Sequence, residues 1–462
     1  MKNKKNKQVI NKVESTTDTI TGRAGLAFFS RYLDKLDLQY LIEDKFGAIR
    51  KSSKGLAVWL IFKQIFCFLF DGTSSHIQFF DHLKKDEGYA ATIETDPSDM
   101  ASSHIVKRFF GAFGWWFSKS FRWVLHRLFI WRLKINKPSV IELFIDTMVM
   151  NNDDALKREG VQPTYKKVKG FQPLQIIWNG KIVDAVFRGG SKNSNHGNTV
   201  VTMVTSLVKL IRSEYSESVT IILRFDAGFF DEKNFAAFNS LNVGFIGAGK
   251  MYEGVKKFTG STEKQFWNKY ENGRQKIWNY IEFGFRCNNW NFYLRAVYTT
   301  LCTEGKQLLL DFARPDSVIL TNIGVNELVL QYCTPEEKEH WLNPETIIAG
   351  YHKNGGDELC HRGFKDFGFE ELPFKRFGAN SAFYYCMVIA FFLFETFKED
   401  VLEEILPVAS YAATVRRTFI DIAGKFAKTG RKIILRINIA VMNTFKIDLV
   451  WQRCQRPPPI IV

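Results

Sequence analysis

Three acidic residues stand where carboxylates could do chemistry. Asp146 lies in "FIDT" and Asp226 in "RFDAGFF", and Glu358 lies in "YHKNGGDELCHRGFK" (351–365). The run that leads to Asp226, "VTIILRFD" (219–226), is β-branched and aliphatic with no Gly or Pro, so it reads as a buried strand that stops where "AG" turns the chain. A single aspartate at a strand end is most often a cap or a turn residue. Two carboxylates brought to one strand edge repel each other, and a divalent cation relieves that repulsion. Magnesium suits such a place: it takes hard oxygen ligands, often only one or two carboxylates, and keeps its other positions for water and substrate phosphate. If 351–365 is helical, Tyr351, Asn354, Glu358 and Lys365 share one face, which sets a carboxylate beside a phosphate-binding lysine. The bland alternative is an amphipathic helix with Glu358 in solvent. Gly355 and Gly356 each cost about 1 kcal/mol inside a helix, so the helix can begin there.

The elements that must position these residues follow from the apolar pattern. "VIELFIDTMVM" (140–150) reads as a strand, and "LQIIWNGKIVDAVFR" (174–188) as a hairpin turning at Asn179-Gly180. In "NTVVTMVTSLVKLIRSEY" (198–215), Val200, Met203, Val204, Leu207, Val208 and Ile211 share one helical face, and Asn198 can cap it. The strand ending at Asp226, a helix opening at Asp231 and a short strand "VGFIGAG" follow. Three strands, helix, strand, helix, strand is the order of an α/β ribonuclease H-like core, in which helices cover a mixed sheet and the first and fourth strands are neighbours. Helical spacing before it predicts an all-helical, basic N-terminal DNA-binding domain over 1–135, opening with a mobile lysine-rich arm. The catalytic domain then occupies 136–250 and 319–400 around a β-rich insertion at 251–318, and 401–462 is a basic C-terminal region.

Composition narrows the partners. The 462 residues carry 63 Lys and Arg against 48 Asp and Glu, a net charge of +15, which favours a polyanion: DNA first, an anionic membrane surface second. No acid occurs between Met100 and Ile141, a stretch holding Lys107, Arg108 and six further basic residues with four tryptophans. Such a segment is either a helix pair with solvated charges or a DNA-contacting surface, and the absence of acids favours the second. Arg431 and Lys432, in "RKIILR", belong to a second basic region. The seven cysteines are scattered without a C-x-x-C pair, which argues against a disulfide scaffold or a zinc ribbon and fits a reducing cytoplasm. No apolar segment follows the N-terminal lysines, so they do not read as a signal peptide. "AVWLIFKQIFCFLF" (57–70) and "FYYCMVIAFFLF" (383–394) fall short of a membrane span and read as buried helices.

With these motifs in this order, the chain resembles a DDE-type transposase of bacterial insertion sequences. The branch it resembles is marked by Tyr, Arg, Glu and Lys around the third acid. Tyr351, Glu358 and Lys365 fall on that spacing, whereas Asn354 holds the arginine place. "FIDT" and "RFDAGFF" are similar to the first and second acid motifs, "TNI" (321–323) to the last core strand, and "FGANSAFYYCMVIAFFLFETFK" to the helix after the signature. The resemblance covers about 140 to 440 and implies a transposase that binds the inverted-repeat ends of its own element, cuts DNA and transfers strands. A nuclease or resolvase of the same fold, or an inactive DNA-binding repressor, is the alternative. Asp146, Asp226 and Glu358 would hold two magnesium ions about 3.5–4 Å apart, with manganese able to substitute. Tyr351 would contact phosphate or DNA, Lys365 would neutralise phosphate, and Arg362 could stand in for the arginine missing at 354. Trp290 or Trp278 could stack on a displaced base, the alternative being core packing. The implied partners are double-stranded DNA, both element ends and target, and a second copy of the chain in the DNA complex; no membrane is implied.

Overall fold

The computed structural model describes residues 10–49, 55–155, 157–273, 276–304, 307–308 and 315–460. Half of the lysine-rich arm, residues 1–9, lies outside them. Five strands form the centre: β1 (Val140–Thr147), β2 (Leu174–Trp178), β3 (Lys181–Val186), β4 (Thr220–Phe225) and β5 (Gly244–Ala248). Asn179 and Gly180 both take positive φ, 46° and 72°, and close the β2–β3 hairpin in the geometry that an Asn-Gly pair favours. β2 is antiparallel to β1 and to β3, while β4 runs parallel to β1 and β5 parallel to β4, in the spatial order β3-β2-β1-β4-β5.

Helices α1 (Ser118–Asn136), α2 (Thr199–Glu214) and α3 (Glu232–Ser240) flank these strands. α2 buries the six residues that its periodicity aligns: Val200, Met203, Val204, Leu207, Val208 and Ile211. Asn198 sits at its N-cap position without a side-chain capping bond, whereas Asp231 does cap α3 by accepting from the Lys233 N–H. Helices α4 (Pro344–His352), α5 (Asn354–Phe367) and α6 (Phe377–Phe397) come last. The α6 segment, running on to Leu402, is long and apolar enough to cross a membrane, yet its most apolar window is 89% buried inside this fold. Its tyrosines find partners there: Gln175 donates to the Tyr384 hydroxyl at 2.7 Å, and Tyr385 donates to the Ala185 carbonyl at 2.9 Å.

Two parts of the architecture add to the sequence reading. Residues 251–318, read from the sequence as a β-rich insertion, open with a helix (Glu253–Ser261), and their strands extend the central sheet. β6 (Asn268–Asn272), β7 (Lys276–Phe285), β8 (Leu294–Glu304) and β9 (Asp316–Thr321) run edge to edge, and β9 pairs antiparallel with β5. The pairing covers the β5 edge, which would otherwise leave a row of backbone groups unpaired. The helical N-terminal region also shares its packing with the rest. One hydrophobic cluster runs from Ala24 to Ile460, and strand Thr19–Thr21 pairs with the C-terminal hairpin strand Gly424–Thr429.

Candidate active site

Strand alternation sorts the acids. Glu142, Phe144 and Asp146 share one face of β1, and Ile222, Arg224 and Asp226 continue it on β4. Glu142 pairs with Ile222, Phe144 with Arg224 and Ile145 with Phe225, so Asp146 and Asp226 each come one residue after the last matched pair. Neighbouring strands lie about 4.8 Å apart, which sets the two aspartates side by side. The main chain orients both: Asp146 Oδ1 accepts from the Thr147 N–H at 2.6 Å and Asp226 Oδ1 from the Gly228 N–H at 2.9 Å.

α5 lies against that face. Buried Arg224 fastens it, with Nη2 2.6 Å from Asp357 Oδ2, Nη1 donating to Asn354 Oδ1 at 3.3 Å, and Nε 3.4 Å from Glu142 Oε2 on β1. Asn354 also donates to the Phe225 carbonyl at 3.4 Å. Glu358 and His361 stand one turn apart on α5, and His361 Nδ1 lies 3.5 Å from Asp146 Oδ2.

Charge is unbalanced at this point. Burial, reinforced by Asp226 and Glu358, pushes the Asp146 carboxyl up to about 7, against the Thr147 N–H and Lys166. Asp226 is an exposed residue, yet partial burial of its carboxyl raises it too, with the Gly228 N–H opposing. Burial, helped by Lys365 and Lys166, lowers His361 to about 4. Between about pH 4 and pH 7, His361 and Asp146 therefore meet as neutral groups, and their contact is polar rather than an ion pair. Among the described residues, no three or more His, Cys, Asp or Glu side chains are gathered closely enough to hold an ion as they stand. Buried, mutually repelling carboxylates that keep a proton near neutrality have the chemistry a divalent cation fits.

The sequence model of the family Transposase DDE domain group 1 matches residues 2–458. The chain belongs to this family of DDE transposases. Membership makes it a DNA-cleaving and DNA-transferring type of enzyme. A solved piggyBac transposase synaptic complex with hairpin DNA is similar at 10% identity and a TM-score of 0.41, over 96% of this chain and 85% of that one. The comparison with curated proteins returned no match.

Of the residues that the sequence reading aligns with the transposase signature, Tyr351 is half-buried, and its hydroxyl is raised by burial and then by Asp226. Asn354, at the arginine place, is met by Arg224 from the strand, while Arg362 is exposed with its guanidinium 5.3 Å from the Tyr411 ring centroid. Lys365 is engaged by Glu370. The stacking candidates are both packed. Trp290 is 5% exposed among Phe230, Phe235, Phe285 and Phe292, and Trp278 lies 4.6 Å from the His352 ring. Trp290 therefore cannot reach a displaced base, and Trp290→Ala is expected to cost about 3–5 kcal/mol in urea unfolding. A loss below about 1 kcal/mol would show that the site is not packed as described.

The basic segments divide. Lys107, Arg108, Arg431 and Lys432 are exposed, and Lys107 donates to Gln78 at 3.0 Å. Three arginines of the acid-free stretch are instead consumed internally: Arg122 on Asp184, Arg127 on Glu214, and Arg132 on Glu399 and Asp400. The exposed aromatics of that stretch are Trp115 and Trp116, at 68% and 59% exposure. Sequence reasoning missed Glu142 and Arg224, although alternation alone places them on the faces of Asp146 and Asp226. It also missed His361, three residues after Glu358, and the Tyr165-Lys166 pair, which nothing but a turn signal marked.

Proposed function

We propose that this chain cuts and joins DNA at the inverted-repeat ends of its own element, with Asp146, Asp226 and Glu358 as the carboxylate set on a ribonuclease H-like core. The observation that carries this reading is the position of Asp146 and Asp226 one step beyond the Ile145–Phe225 pair, inside the field of Glu358. The order β3-β2-β1-β4-β5, with only β2 antiparallel to both its neighbours, supports the fold assignment.

The three carboxylates would hold magnesium or manganese, which when bound polarises the phosphate and activates the attacking oxygen. The protein's own part is to hold the carboxylates still. Thr147 and Gly228 N–H groups orient the aspartates, and Arg224 ties α5, and with it Glu358, to the strand that ends in Asp226. Neutral His361 backs Asp146 without adding a competing positive charge. The exposed Lys107, Arg108, Arg431 and Lys432 are suited to sequence-independent contact with the DNA backbone, and binding through them weakens as salt rises. A labelled duplex bearing the terminal repeat tests the reading. In magnesium the protein is expected to cut at the repeat boundary, whereas sequence-specific binding with no cutting in magnesium or manganese would overturn the enzyme and leave a repressor.

A further inference from the structure

A small three-stranded sheet follows β1 directly and carries a finger-like turn. Its strands are Met150–Asn151, Gln162–Pro163 and Lys169–Phe171, and the turn between the last two presents Tyr165, Lys166 and Lys167. The turn is closed by the Thr164 N–H and hydroxyl, both donating to the Val168 carbonyl at 2.9 and 2.8 Å, and by the Lys167 N–H on the Thr164 carbonyl at 3.0 Å. Its base is packed backbone on backbone. A Cβ added to Gly170 would lie 1.9 Å from the Met150 carbonyl oxygen, and one on Gly190 would lie 2.2 Å from that of Gln162. The Lys169 N–H also donates to Asp153 at 2.9 Å. Because Met150 follows Asp146 by only four residues, the finger's position is referred to the first acid through a short bonded path.

The tip lies within electrostatic reach of all three carboxylates. The Tyr165 hydroxyl, raised first by burial, is raised further by Asp146, Asp226 and Glu358, and Lys166 is the cation acting on Asp146 and also on His361. Neither side chain is committed elsewhere. Tyr165 is 62% exposed, Lys166 is exposed with its ammonium 5.8 Å from the Tyr165 ring, and neither side chain makes a hydrogen bond or ion pair among the described residues. Lys365, the lysine that the signature offers for phosphate, is engaged by Glu370. A phosphodiester entering beside three acids is repelled by each of them, so a poised cation and a hydroxyl donor on the opposite wall have a clear use.

We infer that Lys166 and Tyr165 form the phosphate-holding wall of the active site, donating to the non-bridging oxygens of the scissile phosphodiester opposite Asp146, Asp226 and Glu358. The inference rests on the DNA-cutting reading above and names the substrate contact that the reading lacked. It is tested with wild type, Lys166→Ala, Lys166→Arg and Tyr165→Phe on terminal-repeat duplexes whose cut position carries either the native phosphate or a neutral methylphosphonate. Cutting of the native duplex at saturating DNA is expected to fall roughly 10²-fold in Lys166→Ala, to recover in large part in Lys166→Arg, and to fall roughly tenfold in Tyr165→Phe. In calcium, the methylphosphonate should weaken end binding by wild type and leave Lys166→Ala unaffected. Wild-type cutting by Lys166→Ala, or equal weakening of both proteins by the neutral linkage, would overturn the phosphate wall while leaving the transposase reading intact. Absence of cutting by wild type itself would instead overturn the reading beneath it.

Discussion

Asp226→Asn is expected to lower cutting of the terminal-repeat duplex by at least about 10³-fold while leaving end binding within a few-fold. The substitution is chosen because it spares the local structure. The Asp226 Oδ1 atom that accepts from Gly228 caps the short turn Ala227–Phe229, and an asparagine oxygen can accept the same bond. What disappears is one negative charge and its capacity to hold a cation beside Asp146. The DNA binding proposed for Lys107, Arg108, Arg431 and Lys432 does not pass through this group, and removing a negative charge from the site can only favour an incoming phosphate. Rates of single-turnover cutting and end binding by gel shift separate the two effects. Cutting within tenfold of wild type would remove Asp226 from the carboxylate set.

The central strands and α2 were legible because the information that specifies them is local. Alternation, an Asn-Gly turn and a six-residue apolar face are each contained in fewer than twenty residues, and all recur in the structure. The partners that decide which charges are free are not local. Arg122 meets Asp184 across 62 positions and Arg132 meets Asp400 across 268, so a stretch without acids looks like a DNA surface until the fold supplies the acids from elsewhere. The same holds for the extension of the sheet. An aromatic alternating run reads as β whether it stands apart or caps the β5 edge, and only the β9–β5 pairing distinguishes the two. At the site, the aspartates were visible because strand ends are marked by the turn after them. Arg224 was hidden in plain view inside "LRFD", since a buried arginine in a strand has meaning only once Glu142, Asn354 and Asp357 arrive around it.

Asp146→Asn is expected to stabilise the metal-free protein, by an amount that grows with pH. The Asp146 carboxyl, 14% exposed, titrates at about 7 in the folded chain against 3.8 for the unconstrained group. Between those values the folded state keeps the proton and the unfolded state has lost it. Stability is therefore fully present below about pH 4, falls as pH rises toward 7, and stays at its lower level above that. From pH 5 to pH 7 the loss accumulates over two units at about 1.4 kcal/mol per unit, or roughly 3 kcal/mol, and asparagine, which does not ionise, escapes it. Urea unfolding in EDTA at pH 5 and pH 8 should show the gap between Asp146→Asn and wild type widening by about 2–3 kcal/mol. Adding magnesium at pH 8 should stabilise wild type and narrow the gap, because an ion bound among the carboxylates supplies the charge that the proton supplied at lower pH. A gap of the same size at both pH values would mean that Asp146 is ionised in the metal-free fold. The burial of Asp146 and its repulsion by Asp226 and Glu358 would then be offset by a neighbour other than the ion, and the case for a cation at this strand edge would lose its physical basis.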